Sequence, residues 1–97
     1  MTVAPSFAVL QERSGAQIVL RGSWNSTQGD AVEKIADELA RTIPAGPSEL
    51  DMSGVERLDT LGAWVINRLL HMCAARDARI TLKGVREAQE ILLREAA

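Results

Sequence analysis

The sequence predicts an α/β domain in which helices pack on a four-stranded mixed sheet. Two observations lead to this fold class. After an opening pair of β-prone segments, segments with the apolar periods of helices and strands alternate along the chain. The 97 residues, 46% of them hydrophobic, are also enough for one core but not for two. We therefore expect a single domain over residues 1–97 with the order β-β-α-β-α-β-α.

The first two predicted strands form a hairpin. Residues 7–12 and 17–21 are β-prone, and residues 13–16, which include Ser14 and Gly15, favour a turn between them. Gly22 and Ser23 then predict the end of the second strand.

The first helix is predicted from an apolar stripe that ends before a proline-rich segment. Ser26 or Thr27 is the expected N-cap, with Asp30 as an acidic capping partner. Residues 44–47 contain two prolines, so the helix should end near Ile43. The stripe repeats at intervals of three and four residues and consists of Val32, Ile35, Ala36, Leu39 and Ile43.

The second half of the chain continues the alternation. Residues 48–52 predict a short buried strand, and residues 60–76 predict a helix. A further strand is expected over residues 79–83, and Gly84 separates it from a last helix over residues 85–95.

Composition argues against several classes of function. The net charge of −2, scattered basic residues and only three aromatic residues argue against nucleic-acid binding. Residues 1–6 lack the features of a signal peptide, and no apolar stretch is long enough to insert into a membrane. The single cysteine, Cys73, cannot form an internal disulfide. We expect a cytoplasmic domain without a metal or cofactor.

Residues 50–62 are the most informative part of the sequence. They predict a strand, a tight loop at Ser53 and Gly54, and a helix that begins with Asp59 as N-cap and Thr60 in the first turn. Free N–H groups at such a helix start favour negative charge. The simplest interpretation is that Asp59 and Thr60 only cap a helix, and weak nucleotide binding at the helix start is an alternative.

This segment resembles the STAS domain, the fold of bacterial anti-sigma-factor antagonists and of regulatory domains of transporters. The resemblance implies a non-enzymatic regulatory domain that binds a protein partner. It also implies that Thr60 occupies the position phosphorylated in antagonists, although Leu61 stands where many of them have a second serine. The matching residues are Asp51-Met52-Ser53-Gly54 and Asp59-Thr60-Leu61-Gly62.

Two further pieces, residues 20–24 with Trp24 and residues 58–64 with Trp64, resemble the STAS domain of Mla-type bacterial lipid ABC transporters. That resemblance implies that the ATPase and permease subunits are the partners, with the helix that starts at Asp59 facing the ATPase. The domain would be either a small subunit or the N-terminal part of a permease. The alternative is an anti-sigma-factor antagonist, switched by phosphorylation of Thr60 and bound by an anti-sigma kinase.

The helix after the motif has two distinct faces. At about 100° per residue, Gly62, Val65 and Leu69 share one wide arc with Cys73, which predicts the core face. Trp64 and Arg68 lie away from it, and with Leu61 they would extend the surface that begins at Asp59 and Thr60. Trp64 is either partly buried under a loop or a contact anchor, because Trp and Arg are frequent in interface hot spots.

Overall fold

The structure, a computed structural model, describes residues 3–12 and 15–96. Of the expected hairpin turn, Arg13 and Ser14 lie outside the described residues, whereas Gly15 and Ala16 belong to β2 and pair with β1. The observed order confirms the predicted α/β class. It comprises β1 (Ser6–Glu12), β2 (Gly15–Trp24), a 3₁₀ turn (Ser26–Gln28), α1 (Gly29–Thr42), β3 (Gly46–Leu58), α2 (Thr60–Ala74), β4 (Ala78–Lys83) and α3 (Glu87–Glu95).

The four strands lie in the sheet in the order β1-β2-β3-β4. β1 and β2 form an antiparallel pair, whereas β2 with β3 and β3 with β4 are parallel pairs. Each parallel pair needs a crossover, which α1 and α2 provide. Both crossovers move across the sheet in the same direction, so right-handed connections place α1 and α2 on the same face.

The core lies between that face of the sheet and the helices. In β2 and β3 alternate side chains point inward, as the two-residue period of a strand requires. The fully buried side chains include Ile18, Leu20, Trp24, Val32, Leu39, Leu50, Met52, Val55, Val65, Ile66 and Leu69. The opposite face of the sheet carries polar side chains such as Glu49 and Thr81. None of the helices in the described residues has both the length and the apolarity needed to cross a membrane.

The prediction of a tight loop at Ser53 and Gly54 was wrong, because β3 continues through both residues to Leu58. Pairing with β2 outweighs the local turn preference of a Ser-Gly pair. The register shifts twice along this pair, and β3 carries one extra residue at each shift. Gly54 is suited to this path, since a Cβ there would lie 2.8 Å from the Leu20 carbonyl oxygen.

Two smaller predictions were also wrong. β2 does not end at Gly22 and Ser23 but continues to Trp24, with Gly22 at a φ of +85° and the Ser23 N–H donating to the Val3 carbonyl at 2.8 Å. Neither Ser26 nor Thr27 caps α1, because the chain first forms the 3₁₀ turn and α1 begins at Gly29. The Thr27 hydroxyl instead lies 2.6 Å from Oδ1 of Asn25.

β4 is much shorter than β3 and covers only its first part, up to the pair Asp51–Lys83. Beyond that point the chain leaves the sheet, and the Arg86 guanidinium donates to the Val55 carbonyl oxygen at 2.6 Å. The Arg86 N–H in turn donates to Oε1 of the buried Gln89 at 3.0 Å. The start of α3 is therefore tied to the uncovered part of β3.

Replacement of Arg86 should accordingly destabilise the protein. We expect Arg86→Ala to lower the free energy of unfolding by about 1–2 kcal/mol, because the Val55 carbonyl loses a charged donor. Urea denaturation followed by circular dichroism measures the change. The matched control is Arg79→Ala, which removes an exposed arginine of β4, and equal losses for the two variants would contradict the assignment.

Candidate functional site

Asp59 holds the start of α2 against a distant part of the chain. It is the N-cap of α2, and its Oδ1 accepts a hydrogen bond from the Gly62 N–H at 3.1 Å. Its Oδ2 accepts a second bond, at 2.9 Å, from the N–H of Ser26 in the turn that follows β2. The sequence predicts the cap, but it contains no signal for the bond to Ser26, because that bond depends on the tertiary fold.

The two N–H donors also determine the charge state of Asp59. Burial raises the pKa of this carboxyl, but the hydrogen bonds from Ser26 and Gly62 outweigh that effect and leave the pKa below its usual value. The group is thus an anion near neutral pH, which is the form that accepts both bonds.

Gly62 brings α2 into direct contact with the end of β2. A Cβ at this position would lie 1.8 Å from the Trp24 carbonyl oxygen and 2.9 Å from Cδ1 of Leu58, so only glycine fits. Trp24 is fully buried, and its Nε1 donates to the Arg21 carbonyl at 3.0 Å. The two tryptophan-containing pieces identified in the sequence therefore meet at this point of the fold.

The exposed side of α2 begins with Thr60, which is in the first turn and open to solvent. Leu61 does not share this exposure. It is half-buried against the core, and its Cδ2 lies 3.5 Å from where a Cβ on Gly29 of α1 would stand. Thr60 is therefore the member of the motif most accessible to a partner.

Trp64 lies one turn beyond Thr60 and is 46% exposed, so the structure places it at the surface. The Arg68 guanidinium lies over its ring, 5.1 Å from the centroid, which is within the range of a cation–π contact. Nη2 of Arg68 is also 3.4 Å from Oδ1 of Asp37 in α1. We call Thr60, Trp64 and Arg68 the α2 surface.

Other contacts fix the remaining sides of α2. Nδ2 of Asn67 donates to the Leu93 carbonyl of α3 at 2.8 Å. Cys73 is buried on the predicted core face, and burial raises the pKa of its thiol. His71 is exposed. The helix thus packs against the sheet, α1 and α3, and its exposed side chains include His71 and Met72 as well as Thr60 and Trp64 of the α2 surface.

Asp51, Ser53 and Gly54 do not join this surface. Leu50 and Met52 point into the core below the helices, so Asp51 between them points to the opposite face of the sheet. There its Oδ1 accepts the Ser53 N–H at 2.9 Å, and this bond holds the pKa of the Asp51 carboxyl below its usual value. The hydrogen bond between Asp51 and Ser53 stabilises β3 at the point where β4 leaves it.

A groove of about 500 Å³ beside Asp59 was not expected from the sequence. Its wall includes Ser26, Glu56, Asp59, Arg86 and Gln89. The Asp59 carboxylate on this wall would repel a phosphate, and it already occupies the Gly62 N–H. The wall also includes Arg57 and Arg86, so residues of both charges line the groove. In the described part of the chain, no cluster of His, Cys, Asp and Glu side chains could hold a metal ion.

Comparison with known proteins identifies relatives of this fold. The family described as "Mlab, STAS domain" matches residues 7–97. Among solved structures, RsbS of Moorella thermoacetica, in a form with a serine-to-glutamate substitution, matches with a TM-score of 0.68 and 21% sequence identity. That match covers 94% of this chain and 77% of the other, and at this identity it shows a shared fold alone. No curated protein sequence matches this chain.

The contact between Gly62 and Trp24 can be tested by adding a single methyl group. We expect Gly62→Ala to lower the free energy of unfolding by about 2–3 kcal/mol, because the methyl would overlap backbone atoms that cannot rotate away. The matched control is Gly29→Ala in α1, where a Cβ meets only ordinary contacts and φ is −48°.

The control variant should be neutral or gain about 0.4–1 kcal/mol, because alanine restricts the unfolded chain more than glycine does. Urea denaturation of both variants measures the difference. A Gly62→Ala protein as stable as the wild type would show that α2 does not depend on this close contact.

Proposed function

This chain belongs to the Mlab-type STAS domain family, and on that premise we propose that it is a non-enzymatic regulatory domain of a bacterial ABC-type phospholipid transporter. In this proposal the α2 surface docks onto the ATPase subunit on the cytoplasmic side, and the assembled transporter brings the permease subunit nearby. Asp59 and Gly62 position α2, whereas Thr60, Trp64 and Arg68, flanked by Leu61, make the contact.

The exposure of Trp64 carries this proposal. An indole that remains 46% exposed next to the exposed Thr60 gives up favourable burial in the free domain. Covering it with a partner would recover that burial, and tryptophan is among the commonest hot-spot residues of protein interfaces. The family match to the Mlab type supports a transporter subunit as the partner.

The way α2 is held also supports docking. Asp59 connects the helix start to Ser26, and Gly62 packs against the Trp24 carbonyl. Neither contact involves the exposed side chains, so a partner can cover the α2 surface without reorganising the helix. A surface that is already ordered loses less conformational entropy on binding.

The second candidate is an anti-sigma-factor antagonist, and the exposure of Thr60 is the observation that favours it. A phosphate there would add a charge of about −1.5 to −2 at the start of α2, next to the Asp59 carboxylate. Affinity purification from the native host, with mass spectrometry of the bound proteins, separates the candidates. An ATPase subunit supports the transporter, and an anti-sigma kinase supports the antagonist.

Negative charge at Thr60 should weaken docking without unfolding the domain. We expect Thr60→Glu to lower the affinity for the ATPase subunit at least about tenfold, equivalent to about 1.4 kcal/mol. The helix should persist, since acidic residues in the first turn are favourable. Calorimetric titration measures the affinity, with Thr60→Gln as the neutral control of similar size. Unchanged affinity for Thr60→Glu would contradict this mode of docking.

Removal of the indole should also weaken binding. We expect Trp64→Ala to reduce the free energy of binding to the ATPase subunit by more than about 1 kcal/mol, as expected of a hot-spot residue. Ile91→Ala is the matched control, because Ile91 is 49% exposed on α3 but lies outside the α2 surface. The assignment of Trp64 as an anchor fails if the two variants bind equally well in the same titration.

A further inference from the structure

We propose that Asp37, Arg68 and Trp64 form one preassembled anchor and that Asp37 of α1 is its positioning residue. This inference rests on the proposed docking function, and it adds a residue from a second helix to the surface. It also indicates the polarity of the cleft on the partner that would receive Trp64. Nothing in the sequence singles out Asp37, because its role depends on the packing of α1 beside α2.

Arg68 is the middle member of the anchor. On one side its guanidinium lies 5.1 Å from the centroid of the Trp64 ring, and on the other its Nη2 lies 3.4 Å from Oδ1 of Asp37. Its Nε is buried and has no hydrogen-bond partner among the residues described. The guanidinium thus has a cation–π contact with the indole on one side and an ion pair with Asp37 on the other.

The ion pair between Asp37 and Arg68 is too exposed to matter much for folding. The two side chains are 52% and 35% exposed, and pairs of this kind contribute little to stability because solvent screens them. In this proposal the pair favours one arrangement of the guanidinium and, through the cation–π contact, of the indole. If the side chains of Arg68 and Trp64 are already ordered in the free domain, they lose less conformational entropy when a partner covers them.

Charge determines which partner the anchor fits. When a partner covers Trp64, it also removes part of Arg68 from water, and an unpaired guanidinium would make that costly. Asp37 supplies the counter-charge from within the domain, so Arg68 does not need an acidic group on the partner. The geometry points to an apolar cleft, wide enough for an indole, on the surface of the ATPase subunit.

The variant Asp37→Asn tests the anchor because it removes the charge and keeps the shape of the side chain. We expect the indole N–H signal of Trp64 in a ¹H–¹⁵N spectrum to shift and its fluorescence to become more accessible to acrylamide. The buried Trp24 serves as an internal reference and should not change. Affinity for the ATPase subunit should fall about three- to tenfold, with little change in melting temperature.

Two matched variants make the test specific. Glu38→Gln neutralises the next residue of α1, an exposed carboxylate, and should leave both the Trp64 signal and the affinity unchanged. In the double variant Asp37→Asn with Arg68→Met, the guanidinium that Asp37 neutralises is absent. The double variant should therefore bind no more weakly than Arg68→Met alone.

The possible outcomes are distinct. An unchanged Trp64 signal in Asp37→Asn, or equal effects of Asp37→Asn and Glu38→Gln on affinity, would overturn the role of Asp37. Additive losses in the double variant would also overturn it, since they would show that Asp37 acts independently of Arg68. If Trp64 responds as expected but the wild-type domain does not bind the ATPase subunit, the anchor is supported and the proposed partner is wrong.

Discussion

The carboxylate of Asp59 joins two parts of the chain that are 33 residues apart, and the position of α2 depends on it. One oxygen closes the first turn of the helix, and the other accepts a bond from the turn after β2. With these two bonds in place, Gly62 can lie against the Trp24 carbonyl. The exposure of Thr60 and Trp64 follows from that placement, because the opposite side of the helix is already in contact with the sheet.

Local sequence patterns were sufficient to predict much of the fold and part of the candidate site. The apolar stripe predicted α1, and the pattern after Asp59 predicted both the N-cap and the buried face of α2. The path of β3 was not predictable in this way, because Ser53 and Gly54 favour a turn locally and remain in a strand only through pairing with β2. The contact of Arg68 with Asp37 likewise depends on how two helices pack.

The two motifs that resemble the STAS domain, residues 51–54 and residues 59–62, make separate structural contacts in the fold. Asp51 accepts an N–H from its own strand, on the face of the sheet away from the helices. Asp59 accepts N–H groups at the helix start, on the other side. Both carboxylates accept backbone N–H groups, Asp51 from Ser53 and Asp59 from Ser26 and Gly62, so each motif makes its own structural contact.

The close contact between Gly62 and the Trp24 carbonyl has a consequence for how such a domain can evolve. The position of α2 is set by the backbone contact of Gly62, by the Asp59 carboxylate and by the buried side chains of the helix, so it does not depend on which side chains point to solvent. Substitutions at those outward positions can change the shape and charge offered to a partner without moving the helix. One scaffold can in this way be adapted to different partners while its own folding is preserved.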